Sequence, residues 1–215
     1  MTGSHHTPAG AHPAPALSVH GTGLGEVTVA ALTAGGCALL LFVNEDCPTS
    51  ALAMRRLGPL CRAWEQAGLS STAVFEDPLD VAVRVARRLG WTGRLASEDP
   101  PYETSRAYQL VSVPTAVLVD RAGTIAGTVT GWDHAALAAL IGRAGALLGA
   151  GLAVPEATEP LLKPGCSSKA AIDPELAAAM SAPAGTDNIE EMFERGWTDG
   201  LPVVPPTLDL SLIHI

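Results

Sequence analysis

The chain has 215 residues and a mass of 22.0 kDa, enough for one complete domain and part of another. Its formal net charge of −9, from 13 Lys and Arg against 22 Asp and Glu, excludes a basic nucleic-acid binder and disfavours an anionic membrane surface. Hydrophobic residues at 47% supply a core, whereas aromatic residues at 4% are too few for a stacking platform.

Residues 1–16 are Gly, Pro, His, Ala and Thr without periodicity and read as a disordered tail. They carry neither the basic nor the apolar segment of a signal peptide, so the expected location is the cytoplasm. Val27–Leu32 reads as a short edge strand, and the unbroken apolar run Ala38–Val43 as a strand buried on both faces. Cys47–Gly68 reads as a helix with Pro48 in its first turn, a core stripe of Ala53, Leu57, Leu60 and Trp64, and a kink at Pro59. A strand at Ser71–Phe75 follows, then a helix at Asp80–Leu89 closed by Gly90, then a short helix at Glu103–Leu110. Thr115–Asp120 and Thr124–Thr130 form a hairpin about Arg121-Ala122-Gly123, and Asp133 caps the last helix.

Residues 135–154 approach the length of a membrane span and carry one charge, Arg143. However, Leu137, Leu140, Ile141, Ala144, Leu147 and Leu148 recur at helical spacing, which predicts a packed face and no span. The pattern over 17–150 is therefore an α/β fold, a mixed central sheet with helices on both faces. Beyond it, 151–186 reads as an extended linker and 187–207 as the start of a truncated second domain, with a helix at Asn188–Arg195. Residues 208–215 read as an adapter-derived tail, because Leu210–Ile215 matches the translation of a sequencing-library adapter end; the natural chain is then expected to continue past about Thr207.

The four cysteines, spaced by 10, 14 and 105 residues, match neither a disulfide scaffold nor a zinc site. Cys47 follows a buried strand and opens a helix, where the dipole and free N–H groups favour thiolate over thiol. Glu45 and Asp46 oppose this if they lie close. On these residues alone, an activated nucleophile and a buried half-polar cysteine both stand. Ser50 is placed to donate a hydrogen bond to the thiolate, or is an ordinary first-turn serine. Cys61 lies 14 residues along the same helix, roughly 20 Å away at 1.5 Å per residue, and reads as core. Cys37 reads as structural. Cys166 sits in the linker between Lys163 and Lys169 and reads as a free linker thiol, with a resolving thiol for Cys47 as the alternative. His5, His6, His12 and His20 lie in or near the disordered start, where metal binding would be adventitious, and Glu76-Asp77 reads as a solvated loop, with support of a site as the alternative. No phosphate loop, metal cluster or Ser-His-Asp order is present, so no metal or other cofactor is expected.

Val113-Pro114-Thr115 precedes an apolar strand, a hairpin and a helix, and the segment Tyr108–Trp132 resembles the cis-proline hairpin of the thioredoxin superfamily. Pro114 follows Cys47 by 67 residues, a spacing similar to the TlpA/ResA-like and peroxiredoxin-like branch, and Phe42–Ser50 stands where that branch carries its active-site cysteine motif. The resemblance covers about 17–148 and implies a thioredoxin-like fold, with Pro114 cis beside Cys47 and the Val113 backbone hydrogen-bonding a bound thiol substrate.

It implies catalytic roles for Cys47 and Ser50 and substrate contacts from Pro48, Thr49, Val113, Pro114 and Thr115. The partner is then a protein or small-molecule thiol or disulfide. Ser50 replaces the second cysteine of C-x-x-C, which implies a monothiol oxidoreductase forming a mixed disulfide or sulfenate at Cys47. Leu40 and Asn44 stand where a peroxiredoxin carries Pro and Thr. The alternatives are a redox-inactive binding module for a fused C-terminal domain, supported by the lost cysteine and the acidic pair, and a peroxiredoxin-like peroxidase. Asn188–Thr207 resembles the opening of a family of thiol- or selenol-containing proteins named for a U-G-S-C motif, which implies a fused redox-related domain continuing beyond this chain.

Overall fold

The apolar run from Cys37 to Val43 forms the middle of the molecule, every one of its residues buried. The computed structural model describes residues 12–21 and 27–171. Among them the chain runs β1 (His20–Gly21), α1 (Val29–Thr33), β2 (Cys37–Val43), α2 (Pro48–Leu57), a 3-10 turn (Gly58–Leu60) and α3 (Cys61–Gln66). It continues through β3 (Leu69–Phe75), α4 (Leu79–Leu89), β4 (Arg94–Ser97), α5 (Glu103–Ala107), β5 (Ser112–Val113), β6 (Thr115–Val119) and β7 (Ile125–Thr130). Last come β8 (Trp132–Asp133), α6 (His134–Leu148), β9 (Leu162–Lys163), β10 (Cys166–Ser167) and a 3-10 turn at Lys169–Ala171. No helix among the described residues is long and apolar enough to cross a membrane.

Six strands form the main sheet in the order β1-β4-β3-β2-β6-β7. β2, β3 and β4 are parallel, whereas β6 lies antiparallel to β2 and β7 antiparallel to β6. Because side chains alternate along a strand, β2 serves two cores. Leu39, Leu41 and Val43 join Met54, Leu57, Trp64, Leu137 and Ile141 from the helices on one face. Ala38, Leu40 and Phe42 join Leu32 of α1, Val117 and Val119 on the other. This is the mixed α/β sheet with helices on both faces that the pattern predicts.

Local signals place most elements. Pro59 divides the predicted long helix into α2, the 3-10 turn and α3, because proline lacks the N–H that would continue the ladder. Asp120 Oδ1 accepts from Ala122 and Thr124 N–H, both at 2.9 Å, and Gly123 takes φ +77, closing the hairpin. Asp133 caps α6 by accepting from Ala136 N–H at 3.0 Å. Val27–Leu32, expected as an edge strand, is instead mostly α1: the Thr28 hydroxyl accepts from Ala31 N–H and starts a helix. The short strands β1 and β4 carry no alternation that separates them from loop. Of the predicted disordered tail, residues 12–16 pack on the hairpin, with Ile125 N–H donating to His12 O and Ala14 N–H to Gly123 O; the rest lies outside the described residues.

The predicted linker is the largest correction. Residues 151–171 return across the domain rather than leaving it, and one compact unit extends to Ala171. β9 pairs antiparallel with β8, and β10 with β5. The buried indoles of Trp64 and Trp132 donate to Ala153 O at 2.8 Å and Pro160 O at 2.9 Å. Those donors would be unpaired without this segment. Residues 172–186 of the expected linker, the expected second domain at 187–207 with its helix at Asn188–Arg195, and the expected tail at 208–215 lie outside the described residues.

β4 ends beside Glu98, whose buried carboxylate accepts from Thr104 N–H at 3.0 Å, Ser105 N–H at 3.2 Å and the Ser105 hydroxyl. Burial raises the Glu98 pKa and the Glu76 charge adds to the rise, against the opposing hydrogen bonds of Ser105 and Thr104. The native state thus keeps this proton to higher pH than the unfolded chain. Its contribution to stability is full below the ordinary value of 4.5 and is lost as pH rises through the raised one. Urea denaturation at stepped pH from 4.5 upward is expected to show this decline, and Glu98→Gln to flatten it. Parallel curves for the two proteins would contradict the assignment.

Candidate active site

β2 ends at Val43, and the loop that follows brings Cys47 to the N-cap of α2. Pro48 at the first helical position fits there because its missing N–H is not needed. The Cys47 sulfur accepts from Ser50 N–H at 3.3 Å, the bond an N-cap side chain ordinarily accepts. As a thiol it donates to Val113 O, also at 3.3 Å. The Val113–Pro114 peptide bond is cis, and both residues are buried beside the sulfur. Cys47 itself is only 1% exposed.

The acidity of Cys47 is decided by these contacts. Burial works to raise its pKa. The neighbouring Cys166 thiol, then the Ser50 hydroxyl and backbone N–H, favour the anion and outweigh it, so the pKa falls below the ordinary 9.0. The Ser50 hydroxyl is buried with no hydrogen-bond partner among the described residues; the bond to the sulfur comes from the Ser50 backbone N–H. Glu45 and Asp46 are not among the causes of the shift. Glu45 pairs with Arg84 at 3.1 Å, and Asp46 is exposed to solvent.

The other cysteines contrast with it. Burial holds Cys61 up to about 11, and its thiol donates to Leu57 O at 3.5 Å. Burial also raises Cys37, aided by the Asp120 charge. Both belong to the core, as their positions in the sequence suggest.

Of the residues proposed to contact substrate, Val113 accepts from the sulfur through its carbonyl, and Pro114 follows it across the cis bond. Pro48 is exposed. The Thr115 hydroxyl is buried and donates to Ser112 O at 2.7 Å, bracing the turn before Pro114 rather than facing a ligand. The Thr49 hydroxyl donates to Pro164 O at 2.8 Å. Cys166, expected in a mobile linker, stands in β10 directly opposite Val113.

Glu76 and Asp77, expected in a solvated loop, are instead 1% and 4% exposed. Glu76 accepts from the Ser168 hydroxyl and, at 2.8 Å, from Lys169 N–H. Asp77 pairs with the Lys169 ammonium and accepts from Glu45 N–H at 2.7 Å. Their only local signal is their place just after a buried strand, and their side-chain partners Ser168 and Lys169 lie about ninety residues further on. Among the described residues no group of side chains could hold a metal ion.

A sequence profile of the AhpC/TSA family matches residues 11–128. No curated protein matches the chain. Among solved structures, the chain is similar to a Chlorobium tepidum protein described as a thiol:disulfide interchange protein DsbE, with a TM-score of 0.59 and 23% identity over 66% of this chain and 100% of that one. It is also similar to a thiol-disulfide oxidoreductase from Bacteroides fragilis, with a TM-score of 0.54 and 16% identity over 61% and 98% of the two chains. A hypothetical protein from Sinorhizobium meliloti aligns with a TM-score of 0.61 and 18% identity over 78% and 98%. At these identities the likeness is one of fold. With the profile spanning more than half of its length, the chain belongs to the AhpC/TSA family, and its fold is the thioredoxin-like, TlpA/DsbE-like fold of these neighbours.

Proposed function

We propose that the protein exchanges thiols and disulfides through Cys47, the attacking sulfur of a C-x-x-S site. The observation that carries this reading is the Cys47 sulfur at the N-cap of α2, held by Ser50 N–H beside Val113 and Pro114. The thiolate attacks one sulfur of a partner disulfide, the S–S bond breaks, and the departing thiolate takes up a proton. Cys47 is left in a mixed disulfide. Ser50 cannot close an internal disulfide as a second cysteine would, so its contribution is to stabilise charge on the Cys47 sulfur. Val113, whose backbone lies beside the sulfur, would align the partner chain; exposed Pro48 stays open to contact, and Thr115 supports the turn. The partner is a protein or small-molecule thiol or disulfide.

Family membership favours a second reading, in which a peroxide oxidises Cys47 to a sulfenate with loss of water or an alcohol. Leu40 and Asn44, where a peroxiredoxin carries Pro and Thr, make this the weaker of the two. Stoichiometric peroxide consumption by the reduced protein separates them.

The first reading is tested by the pH dependence of the reaction with a small aromatic disulfide. The rate at Cys47 is expected to rise with pH about a midpoint below 9.0, following its lowered pKa, while Cys37 and Cys61 stay unmodified. A midpoint at or above 9.0, or no reaction at Cys47, sinks the proposal.

A further inference from the structure

Residues 162–171 form a strap over the site that the mechanism above leaves unused. β10 pairs antiparallel with β5, setting Cys166 against Val113 and Ser167 against Ser112, and Ser168 N–H extends the pairing to Val111 O at 3.2 Å. The backbone that would receive a partner chain is therefore already occupied by the chain itself. Cys166 packs on the cluster that contains Cys47, and its cross-strand partner Val113 is the residue whose carbonyl accepts from the Cys47 sulfur at 3.3 Å. Both thiols are free.

The strap is seated at both ends. On one side Thr49 holds Pro164 O. On the other, Glu76 and Asp77 hold Ser168 and Lys169. Its approach depends on glycine. A Cβ on Gly165 would stand 2.5 Å from Val113 O, and one on Gly131, whose φ is +75, would stand 3.0 Å from Lys163 O.

We propose that Cys47 and Cys166 are the redox couple of this protein, an intrachain dithiol that replaces C-x-x-C, with the strap lifting from β5 to admit a partner and returning to resolve it. This rests on the reading of Cys47 as the attacking thiol. The second step balances as follows. Cys166 gives up its proton, its thiolate attacks the Cys47 sulfur of the mixed disulfide, and the partner leaves as a thiolate that takes a proton. Two electrons have then passed from the two cysteines to the partner disulfide, and an external dithiol returns them. The order of the steps follows from the charges. Burial and the neighbouring Cys47 sulfur hold Cys166 up to about 11, so at rest it is a thiol. Once Cys47 is capped its charge is gone, while the attraction of Lys163 for a Cys166 thiolate remains.

The test uses the full chain, reduced and then treated with oxidised glutathione, quenched with acid and mapped by non-reducing mass spectrometry. The expected product is a Cys47–Cys166 disulfide, with both halves of the reagent released as free thiol. In Cys166→Ser, glutathione is expected to stay on Cys47 and to be released more than about tenfold more slowly, because the neighbouring thiol is missing. Gly165→Ala keeps both cysteines but unseats the strand. It is expected to speed glutathionylation of Cys47 and slow closure of the intrachain disulfide. Equal lifetimes of glutathionyl-Cys47 in the parent and Cys166→Ser would overturn the couple and leave Cys47 as a monothiol. Identical behaviour of Gly165→Ala and the parent would overturn the strap. No glutathionyl-Cys47 and no Cys47–Cys166 disulfide in any variant would overturn the reading of Cys47 itself, and the couple with it.

Discussion

Replacing Cys47 by serine is expected to abolish thiol exchange with disulfides, by a factor on the order of a thousand or more, without unfolding the protein. The two halves of this expectation have separate causes. A serine hydroxyl accepts the Ser50 N–H as well as the sulfur does, and serine is a favoured N-cap, so α2 keeps its start. The same hydroxyl stays protonated at any pH the fold survives, so the dipole and hydrogen bonds that favour a thiolate find no anion to stabilise. The measurement pairs the rate of reaction with oxidised glutathione with a thermal melt of the same sample. A lost rate at an unchanged melting temperature is the expected pair. A retained rate would mean that another cysteine reacts, although Cys37 and Cys61 are buried and carry raised pKa values.

The largest stability effect is expected at Trp132. It is 1% exposed, belongs to the same core cluster as Leu137 and Ile141, and its strand β8 holds β9. Trp132→Ala removes the ring and the donor to Pro160 O together, and a loss of about 3–5 kcal/mol is expected from the cavity alone. That is a large share of a domain stability of about 5–15 kcal/mol. Trp132→Phe keeps most of the apolar bulk and removes only the indole donor, so its cost should be nearer 1 kcal/mol. Urea titrations of both variants measure the difference. Near-equal losses would mean that the hydrogen bond to residue 160, not the packing, dominates at this position.

The sheet and its helices were legible because their signals are local. An unbroken apolar run from Ala38 to Val43 announces a strand covered on both faces. Asp133 before an apolar helical stripe announces a cap, and Pro59 announces a break. The spacing of Cys47 and Pro114 was informative for a different reason: the resemblance it carries implies contacts that no local pattern contains. Val27–Leu32 misled because its alternation suits a strand, whereas the Thr28 hydroxyl and the burial of Leu32 favour a helix turn. Glu76 and Asp77 misled because acidic residues after a strand are ordinarily solvated, and here their partners arrive from residues 168 and 169.

By itself, the sequence determined the α/β order, the helix start at Cys47, the loss of the second motif cysteine to Ser50 and the core character of Cys37 and Cys61. Each follows from residue type at short range: hydrophobic period, capping chemistry and spacing along one helix. Only the tertiary structure decided that residues 151–171 belong to the domain and that Cys166 stands against Val113 beside Cys47. That segment is rich in Pro, Gly, Ala and Ser, with no period of its own to read. Its place is set by backbone carbonyls that accept from Trp64, Trp132 and Thr49, and by Glu76 and Asp77, all supplied by parts of the chain far away in sequence.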